Sequence, residues 1–179
     1  AHTNHVVIAQ DTIPVLKEKI PVVAQLVRDT TTPPPPALPP AATINVKNTK
    51  PAALMQFAQT LQGVPYVYGS TDPRTGFDCS GFITYVFNRF GIQVPRSSVE
   101  FTHVGTPVEE AQARPGDIIL FTGTNPLERH VGHMGLVVNN TDSLRFIHAT
   151  SGKQKAVTIS ALGDYYRSRF VKIIRIFPQ

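Results

Sequence analysis

The chain reads as one α+β domain behind a proline-rich lead: two segments of helical period come first, five strand-like runs follow, and a proline tract precedes both. A length of 179 residues leaves room for one core of ordinary size and a tail. Residues 1–29 receive no fold assignment, because Pro14 and Pro21 interrupt the apolar positions that would otherwise suggest a helix. The stretch DTTTPPPPALPP from Asp29 favours extended polyproline II, so residues 30–47 are expected to be a linker and residues 48–179 the folded domain. Pro51 suits the first position of a helix, Leu54, Phe57, Ala58 and Leu61 recur at helical spacing, and Gly63 supplies a stop. A second helix is expected from Cys79 to Phe90, with Phe82, Ile83, Val86, Phe87 and Phe90 on one face, Asp78 as cap and Gly91 as terminator. After the turn Arg114-Pro115-Gly116-Asp117, the runs IILF, HMGLVV, RFIHA, AVTIS and FVKIIRIF predict strands of a mostly antiparallel sheet.

Composition removes several function classes. The net charge of +5 is scattered, with no block of five like charges and no Trp, so nucleic acid is not an expected partner. No apolar run is long enough to cross a bilayer. A single cysteine excludes an internal disulfide framework and any zinc site built from several thiolates. The first ten residues lack a basic region followed by an apolar stretch, so a signal segment is expected to be absent from this chain or already removed. A monomer is expected.

The lone Cys79 falls in the first turn of the second helix, where free N–H groups and the helix dipole favour a thiolate and predict a lowered pKa. Gly81 is expected to leave room there for a substrate backbone, and nearby N–H groups to hold an oxyanion. A cysteine nucleophile needs a base. His103, His130, His133 and His148 are the candidates within the domain. Residues 133–138 and 144–149 read as a hairpin turning through Asn139 to Asp142. With the turn centred between 140 and 141, His133 falls directly opposite His148, on the face that also carries Gly135, Val137 and Phe146. His133 is then the base and His148 its orienter. Joint metal ligation by Cys79, His130 and His133 is disfavoured, because i and i+3 on a strand point to opposite faces, and no metal or cofactor is expected. His130 remains an alternative base, and His103 reads as a surface residue.

From about residue 52 onward, six fragments occur in one order: VPYVYG at 64–69, GFDCSGF at 76–82, VPRSS at 94–98, RPGDI at 114–118, HMGL at 133–136 and FIHA at 146–149. In these the chain resembles the NlpC family of papain-like cell-wall endopeptidases. The resemblance implies a papain-like α+β fold and hydrolysis of murein (peptidoglycan) stem peptides outside the cytoplasm, between D-γ-glutamate and the following diamino acid. It implies Cys79 as nucleophile, His133 as base and His148 as third polar residue. Tyr66 matches the tyrosine that would help hold the oxyanion, or packs beneath the first helix. Asp78, Ser80, Arg96, Ser97 and Ser98 match positions lining the substrate cleft, with Asp78 either meeting a free stem-peptide amine or acting only as a cap. The chain departs from the family at Phe101, where many relatives have Gln, and at Ser70, where a second Gly is usual. The loop 122–130 is expected to wall one side of the cleft. Two other readings use the same residues: an amidase or acyltransferase with the same triad, and a silent binding or scaffold domain at the cell wall.

Overall fold

The computed structural model describes residues 41–178. The expected N-terminal arm and proline tract, residues 1–40, lie outside the described residues. The last part of the expected linker, residues 41–47, lies against the domain. The Ala42 N–H donates to the His103 carbonyl at 2.8 Å, the Gly105 N–H donates to the Ala42 carbonyl at 3.1 Å, and Val46 is buried. Apolar positions at 44 and 46 outweigh the proline tract before them, and the packed body therefore begins by Ala42.

Helix α1 (Pro51–Thr60) starts on its proline and buries Leu54, Met55 and Ala58. A small hairpin, β1 (Thr71–Asp72) and β2 (Gly76–Phe77), leads into α2 (Cys79–Asn88). The main sheet comprises β3 (Thr106–Val108), β4 (Ile118–Thr122), β5 (Val131–Asn139), β6 (Arg145–Ala149), β7 (Val157–Ala161) and β8 (Phe170–Arg175), in the order β3-β8-β4-β5-β6-β7. Every neighbouring pair is antiparallel. A short helix α3 (Asp164–Arg167) and 3-10 segments at Ser98–His103 and Glu110–Gln112 complete the described chain. This is the α+β architecture that the element order predicts.

Strand alternation divides the core in two. Ile118, Leu120, Met134, Leu136 and Ile147 pack with Leu54, Ala58, Phe82, Ile83 and Val86 of the two long helices. Ile119, Phe121, Val137, Phe146 and Ile173 form a second cluster on the opposite face, against which Tyr166 of α3 packs. His133 and His148 share strand parity with this second cluster, whereas Cys79 packs against the first.

A bulge at the start of β5 links the two faces. Phe121 pairs with His133 and Thr122 with Val131, leaving Gly132 as the extra residue. A Cβ on Gly132 would lie 2.7 Å from the Gly123 Cα and 2.8 Å from the Gly123 nitrogen, so only glycine lets these backbones come together.

Candidate active site

The site is assembled from the mouth of α2 outward. Asp78 is extended, and its Oδ1 accepts the Gly81 N–H at 2.5 Å, capping the helix whose first residue is Cys79. Arg96 holds that carboxylate from the other side: Nη2 donates to Oδ2 at 2.9 Å, while Nη1 donates to Oδ1 at 3.3 Å and to Ser80 Oγ at 2.9 Å. Asp78, Ser80 and Arg96 are thus brought together beside Cys79. The expected open space at Gly81 is absent. A Cβ there would collide with the Ser70 carbonyl oxygen and stand 2.8 Å from Asp78 Oδ1, so this glycine serves close backbone packing and not substrate approach.

Cys79 is half-buried, and its Sγ lies 3.9 Å from the carbonyl oxygen of Gly132, the bulged residue immediately before His133. The expectation of a lowered thiol pKa is overturned. Burial, reinforced by the Asp78 charge, pushes the thiol up to about 11, against the smaller opposing pull of the Ser80 and Cys79 N–H groups and Arg96. Although the residue keeps some solvent contact, its sulfur is surrounded closely enough for desolvation to outweigh the helix mouth.

The two histidines do meet, by a different register from the expected one. Leu136 pairs with Ile147 and Val137 with Phe146, which brings Gly135, not His133, in line with His148. The register is slipped by two residues because the turn occupies 140–144 and a bulge lies between Val137 and Asn139. An even slip preserves the face. His133 Nε2 reaches diagonally to His148 Nδ1 at 2.8 Å.

His148 is fully buried, with its Nε2 2.9 Å from Ser160 Oγ and 3.5 Å from the Tyr166 hydroxyl. Burial, aided by the positive charge of Arg169, drives its pKa down to about 3. His133 is likewise held well below the usual imidazole value, by burial first and then by His148 and Arg169. Both rings are neutral at pH 7. His133 Nε2 is engaged by His148, and that contact leaves its Nδ1 unused.

Tyr66 stands close enough for the Cys79 and Asp78 charges to raise its phenol pKa, after burial as the larger cause. Its N–H donates to the Lys155 carbonyl at 2.8 Å, which fixes its backbone beside the site. Ser97 is occupied locally: its N–H and hydroxyl both donate to Glu100 Oε2, at 3.0 and 2.6 Å, starting the 3-10 segment that begins at Ser98. Phe101 is fully buried in the core. His103 is exposed, and exposed His130 lies 3.5 Å from Glu128 Oε2. Among the described residues no cluster of His, Cys, Asp and Glu is arranged to hold a metal ion.

Sequence reasoning missed Gly132, Ser160, Tyr166 and Arg169. Alternation within AVTIS contained a signal for Ser160, since Thr158 pairs with His148 and Ser160 shares its face. Arg169 and Tyr166 arrive through tertiary packing and carried no local signal. A cleft of about 450 Å³ opens beside His133. A separate hollow of about 510 Å³, bordered by residues 41–47 and the end of β8, includes none of the residues around Cys79.

Residues 63–175 match the NlpC/P60 family. The chain is 37% identical over 129 residues to a gamma-DL-glutamyl hydrolase of Bacillus subtilis (strain 168), covering 71% of this chain and 30% of that protein. It is 34% identical over 143 residues to a probable endopeptidase NlpC of Escherichia coli (strain K12), covering 78% of this chain and 87% of that one. An NlpC/P60 family protein from Bacillus cereus superposes with a TM-score of 0.65 at 25% identity, over 74% of this chain and 42% of the other. The chain thus spans under a third of the first relative and most of the second. On the extent of the family match, with a histidine pair and a capped cysteine helix in place, this chain belongs to the NlpC/P60 family.

Proposed function

We propose that the domain is a cysteine endopeptidase of murein stem peptides, acting outside the cytoplasm on the bond between D-γ-glutamate and the following diamino acid. The observation that carries this reading is the 2.8 Å contact between His133 Nε2 and His148 Nδ1 next to the residue whose carbonyl faces the Cys79 thiol. The name of the Bacillus subtilis relative supplies the glutamyl bond.

In this mechanism the resting pair is a neutral thiol and a neutral imidazole. His133 Nδ1 takes the thiol proton as sulfur attacks the carbonyl carbon, while its Nε2–H donates to His148 Nδ1 and the His148 Nε2–H donates to Ser160. This chain of donors fixes both tautomers. Negative charge on the carbonyl oxygen meets the N–H groups at the start of α2 and the Tyr66 hydroxyl. The tetrahedral adduct expels the amine, which leaves with the proton held by His133, and a thioester remains. Water then adds to the thioester with His133 as base, releasing the acid and restoring the thiol. Asp78, with Ser80 and Arg96 around it, offers a fixed carboxylate to a free stem-peptide amine.

The raised thiol pKa favours one second reading, a silent scaffold. Digesting purified murein and weighing the fragments tests both, with Cys79→Ala as blank. New termini at the γ-glutamyl bond support the peptidase. Cleavage of the sugar–peptide amide identifies an amidase, and intact murein that still binds the domain identifies the scaffold.

A further inference from the structure

Strand β4 ends between two breaks of register. On the β8 side Leu120 pairs with Lys172 and Phe121 with Phe170, which leaves Val171 as an extra residue. On the β5 side the extra residue is Gly132, between the pairs Phe121–His133 and Thr122–Val131. Bulges disrupt the ladder locally, so Thr122, the buried last residue of β4, must be held in another way. Arg169 holds it twice. The Thr122 N–H donates to the Arg169 carbonyl at 2.8 Å, and the Thr122 carbonyl accepts from Arg169 Nη2 at 2.8 Å and from Nε at 3.2 Å. In a regular antiparallel pair the return bond would come from the Arg169 main-chain N–H. That group is engaged by the Tyr166 carbonyl at 3.1 Å, just after α3, and the guanidinium takes its place. The guanidinium is itself fixed: Nη1 donates to the Tyr165 hydroxyl at 2.6 Å, and Cζ lies 5.0 Å from the centre of the Tyr165 ring. Among the described residues it forms no ion pair with a carboxylate, and its partners are neutral oxygens.

The residue after Thr122 is Gly123, whose backbone is in close contact with Gly132. The Gly132 carbonyl faces Cys79 Sγ at 3.9 Å, and the residue after Gly132 is His133, whose Nε2 meets His148. A shift of Thr122 and Gly123 therefore moves Gly132, and with it the imidazole relative to the sulfur. We infer that Arg169 is a positioning residue of this site: by clamping Thr122 at the end of β4 it fixes the Gly132 bulge and so sets His133 against Cys79. Its effect on turnover rests on the peptidase reading, whereas the clamp itself does not. The Arg169 charge also adds to the burial that holds both imidazoles neutral, so one side chain governs the place of the base and its resting protonation state.

The test uses the full chain as wild type, Arg169→Gln and Arg169→Lys, with soluble stem peptides released from murein as substrate. Arg169→Gln is expected to lower kcat about a hundredfold while KM stays within about twofold, because a displaced base weakens the transition state and not the binding of substrate. Arg169→Lys keeps the charge and one donor for Thr122 but not the planar fork, and is expected to recover only part of kcat. Amide hydrogen exchange reads the clamp without substrate. In Arg169→Gln the amides of Thr122 and of residues 131–133 should exchange about tenfold faster, with those of Leu136 and Ile147 in the paired centre of β5 and β6 keeping wild-type protection. Wild-type kcat in a folded Arg169→Gln chain, a loss confined to KM, full recovery by Arg169→Lys, or faster exchange spread evenly over the sheet overturns the positioning role. Localised exchange in a chain whose wild type cleaves no stem peptide upholds the clamp, and only the peptidase reading falls. Unchanged exchange at Thr122 and residues 131–133 in a chain that does cleave overturns the clamp and leaves the peptidase intact.

Discussion

His133 reaches His148 across a glycine: Nε2 and Nδ1 meet at 2.8 Å because Gly135, in line with His148 on the neighbouring strand, has no side chain to fill the space between. A Cβ at 135 would stand 2.8 Å from Phe146 Cδ2, 2.9 Å from the Ile147 carbonyl oxygen and 3.1 Å from His148 Cβ. Gly135→Ala is therefore expected to push β6 from β5 and part the two rings, costing about 1–3 kcal/mol of stability as an overpacking change. Activity should fall more than the melt does. A Gly135→Ala chain that digests murein at the wild-type rate would show that the diagonal contact is dispensable.

Alkylation of Cys79 reports whether a thiolate is stored at rest. With the thiol pushed up to about 11 and His133 held below its usual range, proton transfer from sulfur to imidazole is uphill in the free protein. The iodoacetamide rate should climb about tenfold per pH unit from pH 7 towards 10, as the thiolate fraction rises with no plateau near neutrality. A flat rate between pH 6 and 8 would instead indicate a preformed thiolate–imidazolium pair.

Much of the site was legible where local chemistry decides the structure. Pro51 and Asp78 start the two long helices as their residue types require, and alternation together with the assumed turn centre assigned His133 and His148 to one face. The register of that hairpin was not legible, because the bulge between Val137 and Asn139 lies within the strand and leaves no mark in the composition of the turn. The face was right only because the slip is even. The thiol pKa was misjudged for a related reason: a helix mouth is visible in sequence, whereas the packing that desolvates the sulfur is not. Strand β3 and helix α3 are too short for any period to reveal, and with α3 and the start of β8 come Tyr166 and Arg169.

Acid stability should expose the buried imidazole of His148. Its folded pKa is depressed to about 3 from an ordinary 6.5, so above pH 6.5 neither the folded nor the unfolded chain binds this proton. Between those values the unfolded chain binds it and the folded one does not, and stability is lost as pH falls. The loss is about 1.4 kcal/mol per pH unit for one such group. His148→Gln keeps an acceptor for His133 and a donor for Ser160 but cannot titrate. Its denaturant midpoint should decline less steeply than the wild type from pH 6.5 downward, and parallel curves would mean that His148 is protonated in the fold.

Asp78 and Arg96 should move the thiol in opposite directions, since the carboxylate raises the Cys79 pKa and the guanidinium lowers it. Asp78→Asn retains an oxygen for the Gly81 N–H and so keeps the cap, while deleting the charge. Its alkylation profile is expected to shift to lower pH. Arg96→Ala removes the opposing charge and leaves Asp78, whose side chain is only 12% exposed, without its ion-pair partner. The profile should shift to higher pH, with a loss of about 1–3 kcal/mol in stability for the stranded carboxylate. Arg96→Lys should recover part of the charge effect, but not the fork that joins Asp78 to Ser80, because an ammonium cannot hold both with fixed planar geometry. Shifts of the same sign in Asp78→Asn and Arg96→Ala would mean that the cap's geometry, and not its charge, sets the reactivity of the sulfur.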